Sequence, residues 1–157
     1  AGVYVLTTGD SNHTYSQCVV TVTGKAPVCD GGANCPSRAF PDLDPAQWYH
    51  LSTDYAITNH LFIGFEDGTF RPMEEISRQD MALMLQRYAK TVKGTDTTPT
   101  GDLSRWPDAG QVGSWAVDAL RWCVGAGIIN GKDGGLQPTG NATRAEFATI
   151  LMRYAKL

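Results

Sequence analysis

Arg78 and Arg144 each stand one residue after a hydroxyl that opens an apolar helix, Ser77 and Thr143. A cation there opposes the helix macrodipole at a cost of about 0.3–1 kcal/mol, so its repetition asks for a compensating partner. One such partner is an anionic ligand, a carboxylate or phosphate on a glycan, held by guanidinium and helix-end amides together. The other is an internal ion pair with Asp42, Asp108 or another acid, locking one stretch of chain to the next. A guanidinium has donors enough for both. Trp48 and Trp115 offer rigid apolar planes able to stack on a sugar face. Both fall on apolar helix faces, which favours a place in the core. Asp67-Gly68 and Asp133-Gly134 lack the alternating acids and closing Glu of a calcium loop, so they fit turn chemistry.

Cys29 and Cys35 bracket the Gly-rich loop Asp30-Gly31-Gly32-Ala33-Asn34. No His or Cys cluster adjoins them in sequence, so zinc is not expected, and no metal or cofactor is assigned. A local disulfide, closing a loop with little means of burying a core, fits an oxidising place. Cys18 and Cys123 read as buried small side chains. No Ser/His/Asp constellation, nucleophile elbow or phosphate loop occurs, so nothing points to an enzyme. Any chemistry of a parent enzyme would lie upstream of Ala1.

Thirteen basic against 16 acidic residues give a net charge of −3. That excludes a general electrostatic grip on nucleic acid or anionic lipid. No apolar run approaches the ~18–20 residues of a membrane helix, so membrane insertion is not expected. A basic-then-apolar leader is absent too. The chain is therefore expected to start at a processing site or inside a larger protein.

The elements that position these residues are written twice. Residues 40–90 and 106–156 align with an offset of 66, shifting to 67 in the middle. Phe40-Pro41-Asp42 matches Trp106-Pro107-Asp108, Asp67-Gly68 matches Asp133-Gly134, and Arg87-Tyr88-Ala89-Lys90 matches Arg153-Tyr154-Ala155-Lys156. Each unit reads as helix, loop, helix. The first helices run from about Trp48 to His60 and from Ser114 to Gly125, with apolar positions Trp48, Leu51, Tyr55, Ala56 and Trp115, Leu120, Trp122, Cys123. The second helices carry Met81, Met84, Leu85, Tyr88 and Phe147, Ile150, Leu151, Tyr154 at i, i+3, i+4, i+7. Ser77 with Asp80 and Thr143 with Glu146 form capping boxes at their starts. A lone unit of roughly 50 residues cannot bury both stripes, so the units must pack together or on another chain. Val3, Val5 and Cys18-Val19-Val20-Thr21-Val22-Thr23, with a turn at Gly9–Asn12, read as a β-hairpin.

The units resemble S-layer homology repeats. That pattern has an aromatic-x-Asp start, a Trp-bearing helix, a Gly…Asp-Gly-x-Phe-x-Pro loop and a Thr-Arg-Ala-Glu helix start. Here these stand as Phe40-Pro41-Asp42, Trp48, Gly64…Asp67-Gly68-Thr69-Phe70-Arg71-Pro72 and Ser77-Arg78-Gln79-Asp80. The second copy has Trp106-Pro107-Asp108, Trp115, Gly131…Asp133-Gly134-Gly135-Leu136-Gln137-Pro138 and Thr143-Arg144-Ala145-Glu146. His60 occupies a usual Gly position. Residues 1–24 resemble the last strands of a bacterial Ig-like group 2 domain.

The resemblance implies a mainly α protein, tandem helix-loop-helix repeats packed as a helical bundle after a short β-hairpin remnant. Its segments are 1–24 (Ig-like strands), 25–38 (Cys-containing linker), 39–90 (first repeat), 91–104 (linker) and 105–157 (second repeat). It implies non-covalent anchoring of a secreted bacterial protein at the cell surface, through a cell-wall polysaccharide that is often pyruvylated. In the family three repeats form a pseudo-threefold bundle with grooves between them; this chain shows two. By the same resemblance Arg78 and Arg144 would meet polymer acid groups, with Asp42, Asp108, Trp48 and Trp115 shaping the grooves. The competing expectation is a structural or protein–protein module of a larger secreted enzyme or adhesin. Its stripes would be completed within the chain or by a second copy, with no glycan bound.

Overall fold

A computed structural model describes residues 29–157 in full and, before them, the backbone of two strands. Gly2–Thr8 (β1) and Ser16–Val22 (β2) run antiparallel, with Gly2 opposite Val22 and Thr8 opposite Ser16. The turn expected at Gly9–Asn12 and the Cys18 side chain lie outside the described residues.

Four α-helices follow: His50–Thr58 (α1), Arg78–Thr91 (α2), Val117–Gly125 (α3) and Arg144–Tyr154 (α4). Both expected capping boxes are present. The Ser77 hydroxyl accepts from the Asp80 amide at 3.3 Å, and that of Thr143 from the Glu146 amide at 3.2 Å. Each carboxylate reaches back to the N-cap amide, so two orphan donors are satisfied at each start. The first helices are shorter than expected. Trp48 stands in the turn before α1, and Trp115 in a 3₁₀ turn, Ser114–Ala116, before α3.

The main core lies between the repeats rather than within either one. Met81, Ala82, Leu85 and Ala89 of α2 pack against Ala119, Leu120, Trp122 and Cys123 of α3, with Ile150 of α4 joining them. The second helix of the first repeat thus closes the core of the second. Tyr154 meets Tyr88 and Trp122 edge-on at 6.2 and 6.3 Å, tying α4 to both helices. Residues 91–104 are held as well: Gly101 exchanges hydrogen bonds with Arg121, its amide donating to the carbonyl at 2.9 Å.

The two first helices differ. α3 buries its apolar stripe, whereas α1 exposes Leu51 and Tyr55 and turns His50, Thr53 and Asp54 inward. Of the expected α1 stripe only Ala56 is buried. Trp48 is 84% exposed and Trp115 51%, so the core role that their spacing favours is overturned for both. The cause is register: α1 aims its polar face at the Cys29–Cys35 loop, and both Trp residues precede the helices proper.

Candidate functional site

Asp42 and Asp108 do the same work in the two repeats. Asp108 accepts from the amides of Leu136 and Gln137 at 2.9 and 2.7 Å. Asp42 accepts from those of Phe70 and Arg71, at 2.9 and 2.6 Å for the closest pairs. Those amides hold the Asp108 carboxyl below the usual range; for Asp42 they outweigh an opposing effect of burial. Each carboxylate therefore clamps the turn between its repeat's helices, and neither meets Arg78. The aromatic two residues earlier seals the same loop. A Cβ at Gly64 would stand 2.2 Å from the Phe40 ring, and one at Gly131 2.7 Å from Trp106 Nε1.

Arg78 is 4% exposed and belongs to the joint between repeats. Its Nε donates to the Leu136 carbonyl at 3.0 Å, and its Nη1 lies 3.9 Å from Glu146. The amides of Arg78 and Gln79 donate to the carbonyls of Gly140 and Pro138 at 2.9 and 3.0 Å. The start of α2 is thereby docked on the loop of the second repeat. Of the two partners considered for this guanidinium, the structure supplies the internal acid, as Glu146 rather than Asp42 or Asp108.

Glu146 also takes Lys132 Nζ at 2.7 Å. Lys132, then the Thr143 amide, hold its carboxyl down at about 2, against an ordinary 4.5. A depressed carboxyl stabilises the fold above its unfolded value and loses that contribution as pH falls through the folded one. Urea midpoints of the wild-type chain should accordingly fall between about pH 4.5 and 2. Those of Glu146→Gln should start lower and fall less across the same window.

Arg144, the twin of Arg78, is exposed. Trp115 lies close to the docked start of α2. Its Nε1 folds over Gly113, whose amide donates to Gln79 Oε1 at 2.9 Å, and its 3₁₀ turn packs on α2. Trp48 touches Tyr49 edge-on at 5.7 Å and otherwise faces outward. Of the six residues assigned to ligand binding, then, Asp42, Asp108 and Arg78 are engaged internally, while Arg144, Trp48 and Trp115 present surface. An open cavity of about 650 Å³, lined by Asp102, Ser104, Val112, Val117 and Arg121 among others, includes none of the six.

Two features were missed by reading the sequence. The repeated Arg87 and Arg153 donate to the carbonyls of Leu61 and Ile128, at 3.1 and 3.3 Å, bracing each second helix against the end of the first. The identity of Arg-Tyr-Ala-Lys in both copies was a usable signal for this. The other concerns the cysteines. Cys29 and Cys35 are free thiols, which corrects the expected disulfide. Their sulfurs converge with His50 and Asp54 of α1, all four groups lying within 4.8 Å of one another. His50 and Asp54 share one face at i, i+4 spacing, and the loop closes on that face instead of on itself. Cys123 is fully buried, as its spacing led one to expect.

The family model described as "S-layer homology domain" matches residues 39–82 and 107–148, one span in each repeat. The chain is 29% identical over 118 residues to the Surface-layer 125 kDa protein of Lysinibacillus sphaericus. It is 30% identical over 123 residues to the Cellulosome-anchoring protein of Acetivibrio thermocellus, and 26% over 121 to an endoglucanase of a Bacillus strain. These alignments cover 73%, 74% and 76% of this chain but only 10%, 26% and 13% of the relatives. The chain thus spans a small part of the relatives it matches. With both repeats matched in order, the chain belongs to the S-layer homology domain family.

Proposed function

We propose that this chain anchors a larger secreted protein non-covalently to the bacterial cell wall, by binding an acidic wall polysaccharide, pyruvylated where the polymer carries that group. It works outside the cell, at the surface, where surface-layer and cellulosome-anchoring relatives belong by their names. One observation carries the ligand assignment: the contrast between Arg78 and Arg144. The same residue at the same helix start is buried where a neighbouring repeat covers it and exposed where none does. The exposed start of α4 combines a guanidinium with the helix-end amides that its capping box does not use, which suits a carboxylate. Exposed Trp115 and Trp48 supply flat apolar faces for sugar rings. Under this reading residues 1–24 are the end of an Ig-like domain, and any catalysis belongs to other parts of the parent protein.

The protein–protein reading is favoured by a different observation, the outward Leu51 and Tyr55 of α1 and Trp48 just before it. A further repeat or a second copy would cover that face. Co-sedimentation with purified cell walls distinguishes the readings. Arg144→Ala should weaken wall binding roughly 10–100-fold, the range expected for losing a hydrogen bond to a charged group, and Trp115→Ala should weaken it too. If both variants sediment like wild type, the glycan assignment fails. Arg78→Ala is a poor probe, because its loss opens the inter-repeat joint whatever the ligand.

A further inference from the structure

We propose that Cys29, Cys35, His50 and Asp54 form a structural site for a divalent transition-metal ion of the zinc class. Two of them stand on α1. α1 buries His50, Thr53 and Asp54 while leaving Leu51 and Tyr55 in solvent. Turning the polar face inward is costly unless something there satisfies it.

The arrangement around that face has the form of a ligand set. Cys35 Sγ lies 3.1 Å from His50 Nε2 and 3.5 Å from Asp54 Oδ2, and His50 Nε2 lies 3.0 Å from the same oxygen. Around a tetrahedral zinc ion, nitrogen and oxygen ligands stand about 3.3 Å apart and two sulfurs about 3.8 Å. Cys35, His50 and Asp54 thus each offer one atom at separations near those one small ion imposes, and Cys29 completes a set whose atoms all lie within 4.8 Å of one another. Two sulfurs, an imidazole and a carboxylate are soft and borderline donors, the combination that selects zinc over calcium or magnesium.

The surroundings orient these donors. The Ser37 amide donates to Asp54 Oδ1 at 2.9 Å, and the Ser37 hydroxyl donates to the same oxygen. With Oδ1 so engaged, Oδ2 is turned toward His50 and Cys35. Arg38 Nε donates to the Gly31 carbonyl at 2.8 Å, holding the loop between the cysteines. Ligating carboxylates fixed by a further hydrogen bond are the usual companions of a metal site.

An alternative is a hydrogen-bonded cluster without metal, held by thiol donors. Ser37 and His50 already partner Asp54, but the two thiols donate only weakly, and this part of the chain has little apolar burial to hold it. Between residues 29 and 61 the buried apolar side chains are Cys35, Leu43, Ala56 and Leu61, whereas the main core is built from residues further along. A segment so poor in apolar burial is where a metal contributes most to folding.

The test uses the whole chain, reduced, stripped with a chelator and titrated with Co²⁺ and then Zn²⁺. One equivalent should bind, and Co²⁺ should show thiolate charge-transfer absorption with tetrahedral ligand-field bands. Zn²⁺ should raise the thermal midpoint. Cys29→Ser, at a half-buried position, and Asp54→Asn should each weaken binding by at least about tenfold. A reduced chain with native circular dichroism that takes up neither metal overturns the proposal. So does uptake that both variants leave unchanged, or cobalt bound without thiolate absorption. Should the chain emerge with Cys29 and Cys35 disulfide-linked, the same titration after reduction decides. None of these readouts depends on wall binding.

Discussion

Leu120→Ala is expected to destabilise α2 of the first repeat and the whole second repeat together, by about 3–5 kcal/mol. Leu120 is 1% exposed on α3, at the centre of a cluster that draws on α2, α3 and α4. Removing its branched end leaves a cavity that α2 cannot fill without breaking the Arg78 and Gln79 backbone bonds to the next loop. Because the core is shared, urea unfolding should remain one transition, with a lower midpoint and an unchanged slope. Two separate transitions, with α2 unaffected, would contradict a core built between the repeats.

The second large effect is expected at Gly131. Its φ is 77°, and an added Cβ would lie 2.7 Å from Trp106 Nε1 and 2.8 Å from the Gly135 carbonyl. Gly131→Ala combines left-handed strain with a clash against a clamped loop, and should cost about 2–4 kcal/mol. Gly68→Ala provides the comparison. Its φ is 81°, but a Cβ there meets nothing within 4 Å. It should show the backbone strain alone, about 1–2 kcal/mol. Equal losses at the two positions would mean that the aromatic seal over the loop carries no weight.

Much of the fold was legible because it rests on local rules. The capping boxes follow from hydroxyl-x-x-carboxyl spacing, the helix stripes from periodicity, and the two units from their alignment. Less legible was which face each helix turns inward. Trp48, Leu51 and Tyr55 have helical spacing, and periodicity cannot say that α1 will bury His50, Thr53 and Asp54 instead. That choice depends on the Cys29–Cys35 loop, 15 residues from His50 and 19 from Asp54 when counted from Cys35.

The site divides in the same way. The sequence singled out both arginines and left each either an internal acid or a ligand; for Arg78 the structure supplies the acid. It could not assign Arg78 to the former and Arg144 to the surface, because the two occupy identical local positions. The difference is tertiary: the loop at residues 136–140 covers the start of α2, while the start of α4 remains exposed. Asp42 and Asp108 stood out as repeated acids, but their work in the fold did not. Their partners are backbone amides, about which side-chain spacing is silent.

Wall attachment is tested most directly by co-sedimentation of the intact chain with two wall preparations from one source, one retaining its acidic secondary polysaccharide and one chemically stripped of it. The chain should pellet with the first, remain soluble with the second, and be released by the isolated polymer added in excess. Equal pelleting with both preparations, or with neither, would contradict recognition of that polysaccharide by the paired repeats.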